Sequence, residues 1–207
     1  MSLFFRKLRF GLLATCAIPV SAATANQLPA TAFQTYSAAN ASSITAGPFA
    51  LFSVPVNLIR PAQLSAGFSE VATKTTAWNI LASSQLQSTL LTDIEPVVVG
   101  PGGTLYLENG HHTFTSLENS LLGASNPNVF VDVVANYSNL TAAQFFQQME
   151  AQNLVLPLND GVPATINLAT GAPLGSSLQA LTNDPYRGLE YSVLKNNSSK
   201  LFPPPPT

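Results

Sequence analysis

Pro96-Val-Val-Val-Gly-Pro-Gly-Gly-Thr-Leu-Tyr-Leu-Glu-Asn-Gly-His-His-Thr-Phe-Thr-Ser-Leu117 carries a strand, a turn, a second strand and the opening of a helix. Val97 to Val99 is a short β-branched run, Gly100-Pro-Gly-Gly103 is a turn cluster, and Thr104 to Leu107 is apolar and aromatic again. Two such runs around a glycine-rich break predict a β-hairpin with a four-residue loop. Glu108-Asn109-Gly110 then breaks the strand. From His111 the apolar residues fall at helical spacing (Phe114, Leu117, Leu121), with Gly123 placed as a C-terminal cap. The first turn of a helix leaves backbone N–H groups without intrahelical partners, and behind a glycine these suit an anion.

Upstream, Pro48 to Ile59 predicts a strand or extended segment broken by Pro55. Arg60-Pro61 turns the chain, because a residue before proline is driven out of the helical region. Ser69 is the expected N-cap of a helix through Lys74. Trp78, Ile80, Leu81, Gln85 and Leu90 carry that helix, or a second one, to about Leu91. Downstream, Pro127 to Val134 is nearly all β-branched or aromatic and is expected in the middle of the sheet. Thr141-Ala-Ala-Gln144 matches a capping box. Residues 152–175 read as loop with a turn at Asn159-Asp160-Gly161, and Ser176 to Leu181 as a short helix. Asp184-Pro185 opens a last helix, with the aspartate as cap, running to about Lys195. No repeat or linker interrupts residues 57–195. The expected fold is a single α/β (α+β) domain, a small mixed sheet with surrounding helices.

The ends are different in character. Arg6, Lys7 and Arg9 precede an apolar run from Phe10 to Val20 and the small residues Ser21-Ala22-Ala23-Thr24-Ala25. This is the pattern of a secretory signal peptide, with cleavage after Ala22 or Ala25; the run is too short for an ordinary membrane span. The expected destination is secreted or periplasmic. Cys16, the one cysteine, lies inside the signal behind Thr15, where a lipoprotein would have a small residue such as Gly or Ala. A processed chain would therefore have no disulfide and no thiol nucleophile. The expected division is a signal at 1–22, an Ala/Ser/Thr/Asn-rich lead-in with little fixed structure at 23–47, the domain at 48–200 and a Pro-rich tail at 201–207.

Removal of the signal leaves five basic residues against ten acidic ones, a net charge of −5. Sequence-independent grip on a DNA duplex needs a concentrated basic surface, and so few cations cannot form one. A small anionic or nucleotide-like ligand remains compatible. Gly100-Pro-Gly-Gly103 lacks the Gly-Lys-Ser/Thr ending of a phosphate loop, and there is no Gly-x-Ser-x-Gly elbow. Asn-x-Ser/Thr sequons stand at Asn40, Asn136, Asn139, Asn196 and Asn197.

His111 and His112 are the two histidines of the chain. Histidine titrates near neutral pH and here opens an anion-friendly helix, so an acid/base or phosphate-donor role is one reading. A pair of polar first-turn residues is the other. Glu108 either orients a histidine or is an ordinary strand-end carboxylate. On a helix His111 falls near the edge of the buried stripe and His112 nearly opposite, so the rings do not converge on one metal ion without help from the turn; a two-histidine, one-carboxylate set of His111, His112 and Glu108 is possible in kind but at an unusual spacing, and no metal is assigned. No cofactor is indicated.

Ile59-Arg60-Pro61-Ala-Gln-Leu64, Val71-Ala-Thr-Lys74, Pro96-Val-Val-Val-Gly100, Leu105-Tyr-Leu-Glu-Asn-Gly-His-His-Thr113 and Asp184-Pro-Tyr-Arg187 follow one another in an order that resembles the ParB-like nucleases of the broader ParB/sulfiredoxin superfamily. The resemblance spans about Asn57 to Lys195. It implies a nucleotide or phosphate site at the turn between strand and helix, with Gly110, His111, His112 and Thr113 at it, Asn109 where the family often has Asp, and Arg60 on a segment facing it. ParB proper has Gly-Glu-Arg-Arg here, so the arginines that would face a triphosphate are replaced. Sulfiredoxin has a cysteine after the glycine; His111 stands there, which excludes sulfinic-acid reduction by that route. The candidate catalytic residues are thus His111, His112 and Glu108, and the candidate ligand-binding residues Arg60, Asn109, Gly110 and Thr113. Two functions are expected from this: an exported nuclease or phosphate-substrate enzyme, or a non-catalytic secreted module that binds a small anion or a protein partner.

Overall fold

The computed structural model describes residues 32–189. The expected signal at 1–22, Cys16, the Pro-rich tail at 201–207, and the sequons at Asn196 and Asn197 lie outside the described residues. In chain order the elements are β1 (Gln34–Thr35), β2 (Leu51–Pro55), β3 (Ile59–Pro61), β4 (Ser65–Ala66), α1 (Phe68–Ile80), α2 (Leu86–Leu90), β5 (Glu95–Val99), β6 (Leu105–Leu107), α3 (His111–Glu118), β7 (Asn128–Asn136), α4 (Ala142–Ala151), β8 (Leu158–Asn159), β9 (Val162–Pro163) and β10 (Thr182–Asn183). A last helical segment covers residues 185–189.

Six strands form one mixed sheet in the order β1-β2-β7-β5-β6-β3. The expected hairpin is present: β5 and β6 pair antiparallel, with Val98 opposite Tyr106 and Val99 opposite Leu105. β7, the most β-branched strand, is interior, antiparallel to β2 and parallel to β5. Alternation along β5 separates two apolar layers. Val97 and Val99 pack with Leu105, Leu107, Phe114, Leu117, Trp78 and Leu90, while Val98 packs with Tyr106, Phe145, Phe146 and Met149. Helices α1 to α3 therefore cover one face and α4 the other. The Thr141/Gln144 capping box starts α4 as expected. Among the described residues no helix is long and apolar enough to cross a membrane.

Several local expectations are corrected. The helix from His111 ends at Glu118, so Leu121 falls beyond it and is 77% exposed instead of continuing the buried stripe. Gly123 opens a 3-10 turn and caps nothing. α1 begins at Phe68 with Gly67 as its N-cap, and Ser69 supplies no cap. The Asn183 side chain performs that task, accepting from the Phe68 N–H at 3.0 Å. Part of the expected lead-in is built into the domain: β1 pairs with β2, Phe33 is buried, and the Tyr36 hydroxyl donates to the Gly103 carbonyl at 2.6 Å. The hairpin loop tightens to a 3-10 turn at Pro101–Gly103, where Gly102 and Gly103 take φ of 67° and 76°.

Candidate functional site

The site grows from the junction of β6 and α3. Glu108 donates its backbone N–H to the Pro96 carbonyl at 2.9 Å, which ends the hairpin. Gly110 then turns at φ +80° as the N-cap of α3. This turn requires glycine twice over. The left-handed φ disfavours a side chain, and a Cβ would stand on the Glu95 carboxyl, 2.1 Å from Cδ. The first intrahelical bond runs from Phe114 N–H to Gly110 O. The amides of the first turn and the positive end of the helix dipole therefore lie beside Glu95.

Both histidines turn inward onto one neighbouring segment. His111 Nε2 accepts the Ala62 N–H at 3.1 Å, and His112 Nε2 accepts the Gly67 N–H at 2.9 Å. An imidazole that accepts at Nε2 is neutral and carries its proton on Nδ1. Burial, then the positive charges of Arg187 and a protonated His112, push His111 down to about 3. His112 is also lowered, by burial first and by Arg187 and Lys74, against an opposing pull from Glu70. Its Nδ1 lies 3.7 Å from Glu70 Oε2. At neutral pH His111 is a buried, neutral acceptor that ties α3 to the residues after β3.

Lys74 leads from the histidines to an open surface. Its Nζ lies 3.0 Å from Glu70 Oε1, one helical turn earlier, and donates to Thr113 Oγ1 at 3.1 Å. Lys74, Thr113 and Asp93 line a hollow of about 450 Å³ whose other walls are Ala77, Trp78, Leu81, Thr89 and Thr92. Neither imidazole lines it. Behind Asp93 lies Glu95, 8% exposed. Burial first, then Asp93 by charge and by a carboxyl–carboxyl hydrogen bond, and Glu108 by charge, raise Glu95 to about 7, with Lys74 opposing. Glu95 therefore gives or takes a proton near neutrality.

The structure brings Thr113 to Lys74 directly and His112 to it through Glu70, while Gly110 stands against Glu95. Glu108 is half-buried and acts on Glu95 through its charge. Asn109 is exposed on the turn. Arg60 lines a separate hollow with Tyr36, Gly102 and Gly103 at the far end of the hairpin, and is not brought to Lys74 and Thr113. The residues missed by sequence reasoning are Lys74, Glu70, Asp93 and Glu95. Their signals were present but ambiguous: a Glu/Lys pair four apart on a helix reads as surface charge, and a glutamate opening an apolar strand reads as its solvent end. Arg187 does pack inward, with Nη1 on Gln63 Oε1 at 2.8 Å and on the Ser65 carbonyl at 3.2 Å. Asp184 caps its helix through the Tyr186 and Arg187 amides. Among the described residues no group of three or more His, Cys, Asp or Glu is placed to hold a metal ion.

A family described as "Putative ParB-like nuclease" matches residues 52–201. No curated protein matches the chain. Among solved structures, the crystal structure of protein Atu1540 from Agrobacterium tumefaciens is similar, with a TM-score of 0.58 and 25% sequence identity. The similarity covers 71% of this chain and 69% of that one.

Proposed function

The chain belongs to the ParB-like nuclease family, and from that premise we propose that it is a hydrolase of small phosphate esters, working at the hollow beside the first turn of α3. The observation that carries this reading is Lys74, held between Glu70 and Thr113 at the positive end of α3. A fixed cation and a helix start stabilise the charge that grows on a phosphoryl group as its ester bond breaks. Glu95, hydrogen-bonded to Asp93 at the wall of the hollow, supplies the proton that the leaving oxygen takes and regains one from the attacking water. His112, Glu70 and Gly110 are positioning residues. The first two brace Lys74; Gly110 leaves room for the carboxyl.

The test uses the full mature chain with a chromogenic phosphate monoester and a diester, with and without divalent metal. Lys74→Gln should lower kcat/KM by at least ~100-fold, the scale of losing one charge-stabilising group at a reaction centre. Turnover unchanged in Lys74→Gln would overturn the reading. One observation favours a second reading, a non-catalytic binding module for the same anions: both imidazoles are committed to backbone amides. Saturable binding of phosphate at Lys74 with no turnover of any ester supports it. The pattern of residues 1–25 supports export; a secreted protein whose first residue is Ala23 or Asn26 supports that part, and an unprocessed Met1 in the cytoplasm refutes it.

A further inference from the structure

The hollow at Lys74 is lined by few charged groups. Lys74 donates to Thr113 Oγ1 at 3.1 Å and both line it, and Asp93 is the one carboxylate of the lining. Thr89 and Thr92 add hydroxyls to the wall, but both O–H groups are committed to backbone carbonyls, Thr89 to Gln85 at 3.0 Å and Thr92 to Thr89 at 2.6 Å. The remaining lining is Ala77, Trp78 and Leu81. Trp78 is held in place, since its Nε1–H donates to Ser116 Oγ at 2.9 Å and that hydroxyl donates to the Thr113 carbonyl at 2.7 Å. The indole therefore forms a fixed apolar wall tied to the same helix that presents Thr113. Sites of a few hundred Å³ with an apolar lining and a few convergent polar groups bind small molecules.

We infer that this hollow takes a small phosphate ester carrying one flat apolar group, with the phosphate against Lys74 and Thr113 and the flat group against Ala77, Trp78 and Leu81. The inference rests on the anion reading of Lys74 given above and adds the shape and polarity of the rest of the ligand. The hollow offers one ammonium, already paired with Glu70, and is also lined by the Asp93 side chain, so the site accepts a single phosphate and discriminates against di- and triphosphates. A polyanionic strand is a poor fit for a second reason: the described residues hold three cations, Arg60, Lys74 and Arg187, against nine acidic side chains. An apolar ring removed from water adds affinity that an equally charged ester without one lacks.

The test measures binding of phenyl phosphate, glycerol 3-phosphate and inorganic phosphate to the full chain by calorimetry. Phenyl phosphate should bind at least tenfold tighter than glycerol 3-phosphate. Ala77 is exposed on α1, so Ala77→Trp can fill the hollow without touching the core; it should erase that tenfold advantage. Equal affinity for the two esters, both weakened by Lys74→Gln, would overturn the ring-binding inference and leave the anion site standing. A phenyl advantage that survives Ala77→Trp would also overturn it, by placing the ring elsewhere. Binding of none of the three probes would sink the inference together with the proposed function.

Discussion

Gly110 is the residue on which the site's geometry turns. In Gly110→Ala the new methyl meets the Glu95 carboxyl at a left-handed φ, so both a clash and backbone strain arise. The expected loss is about 1–3 kcal/mol, read from urea denaturation. Two side chains give opposite pH signatures. His111 stays neutral in the fold down to about 3, whereas an unfolded histidine takes its proton near 6.5. Between those values the unfolded state binds more protons, so the His111 contribution is full above about 6.5 and is lost as pH falls toward 3. Glu95 keeps its proton up to about 7 in the fold and would release it near 4.5 when unfolded. Its contribution is full below about 4.5 and is lost as pH rises through about 7. Thermal melts should therefore show a flatter acid limb for His111→Gln than for the parent, and Glu95→Gln should gain on the parent from pH 5 to about 7 and level off above it. The histidines drew attention in the sequence because they are the only two and adjacent. What a sequence cannot display is the acceptor each finds, Ala62 and Gly67, which lie 49 and 45 positions away. Lys74 and Glu95 were hidden for another reason: a Glu/Lys pair four apart and a strand-end glutamate both read as ordinary surface charge.

At the level of the elements, periodicity gave the right types and misplaced some ends. β5, β6, β7, α3 and α4 follow from β-branched runs, glycine breaks and a capping box, all local signals. The start of α1 is not local. Its first amide is satisfied by Asn183, delivered by β10, which pairs in parallel with β4 at Thr182/Ser65 and Asn183/Ala66. Asn183→Ala should cost about 1 kcal/mol, the usual scale of a lost cap, measurable as a lower urea midpoint at unchanged slope. The end of α3 failed for a related reason: Leu121 continues the pattern in sequence, but the backbone has already left the helix at Glu118 and its N–H is held by the Asn79 side chain at 2.8 Å.

Over the whole molecule, charge decides which partners fit. With nine acidic and three basic side chains among the described residues, the long-range field repels a polyphosphate backbone except close to Lys74. No retention of duplex DNA is expected in a gel-shift assay at ~150 mM salt, where non-specific binding needs many phosphate contacts; a stable shifted band would contradict it. The architecture of a mixed sheet between helices was legible because strand and helix patterns alternate along residues 48–189. The inclusion of Phe33 and Tyr36 was not, since Ala, Ser and Thr around them look like a solvated lead-in.

β5 has apolar layers above and below, and Val97, Val98 and Val99 expose no surface. Their amide protons should outlast most others in deuterium exchange, because only global opening frees them. Glu95 is rooted at the first residue of that strand. Its hydrogen-bond partner Asp93, two residues earlier, is the acidic side chain that lines the hollow, so guests are sorted by whether they tolerate it where it stands. Rigidity two layers deep thus becomes selectivity at the rim.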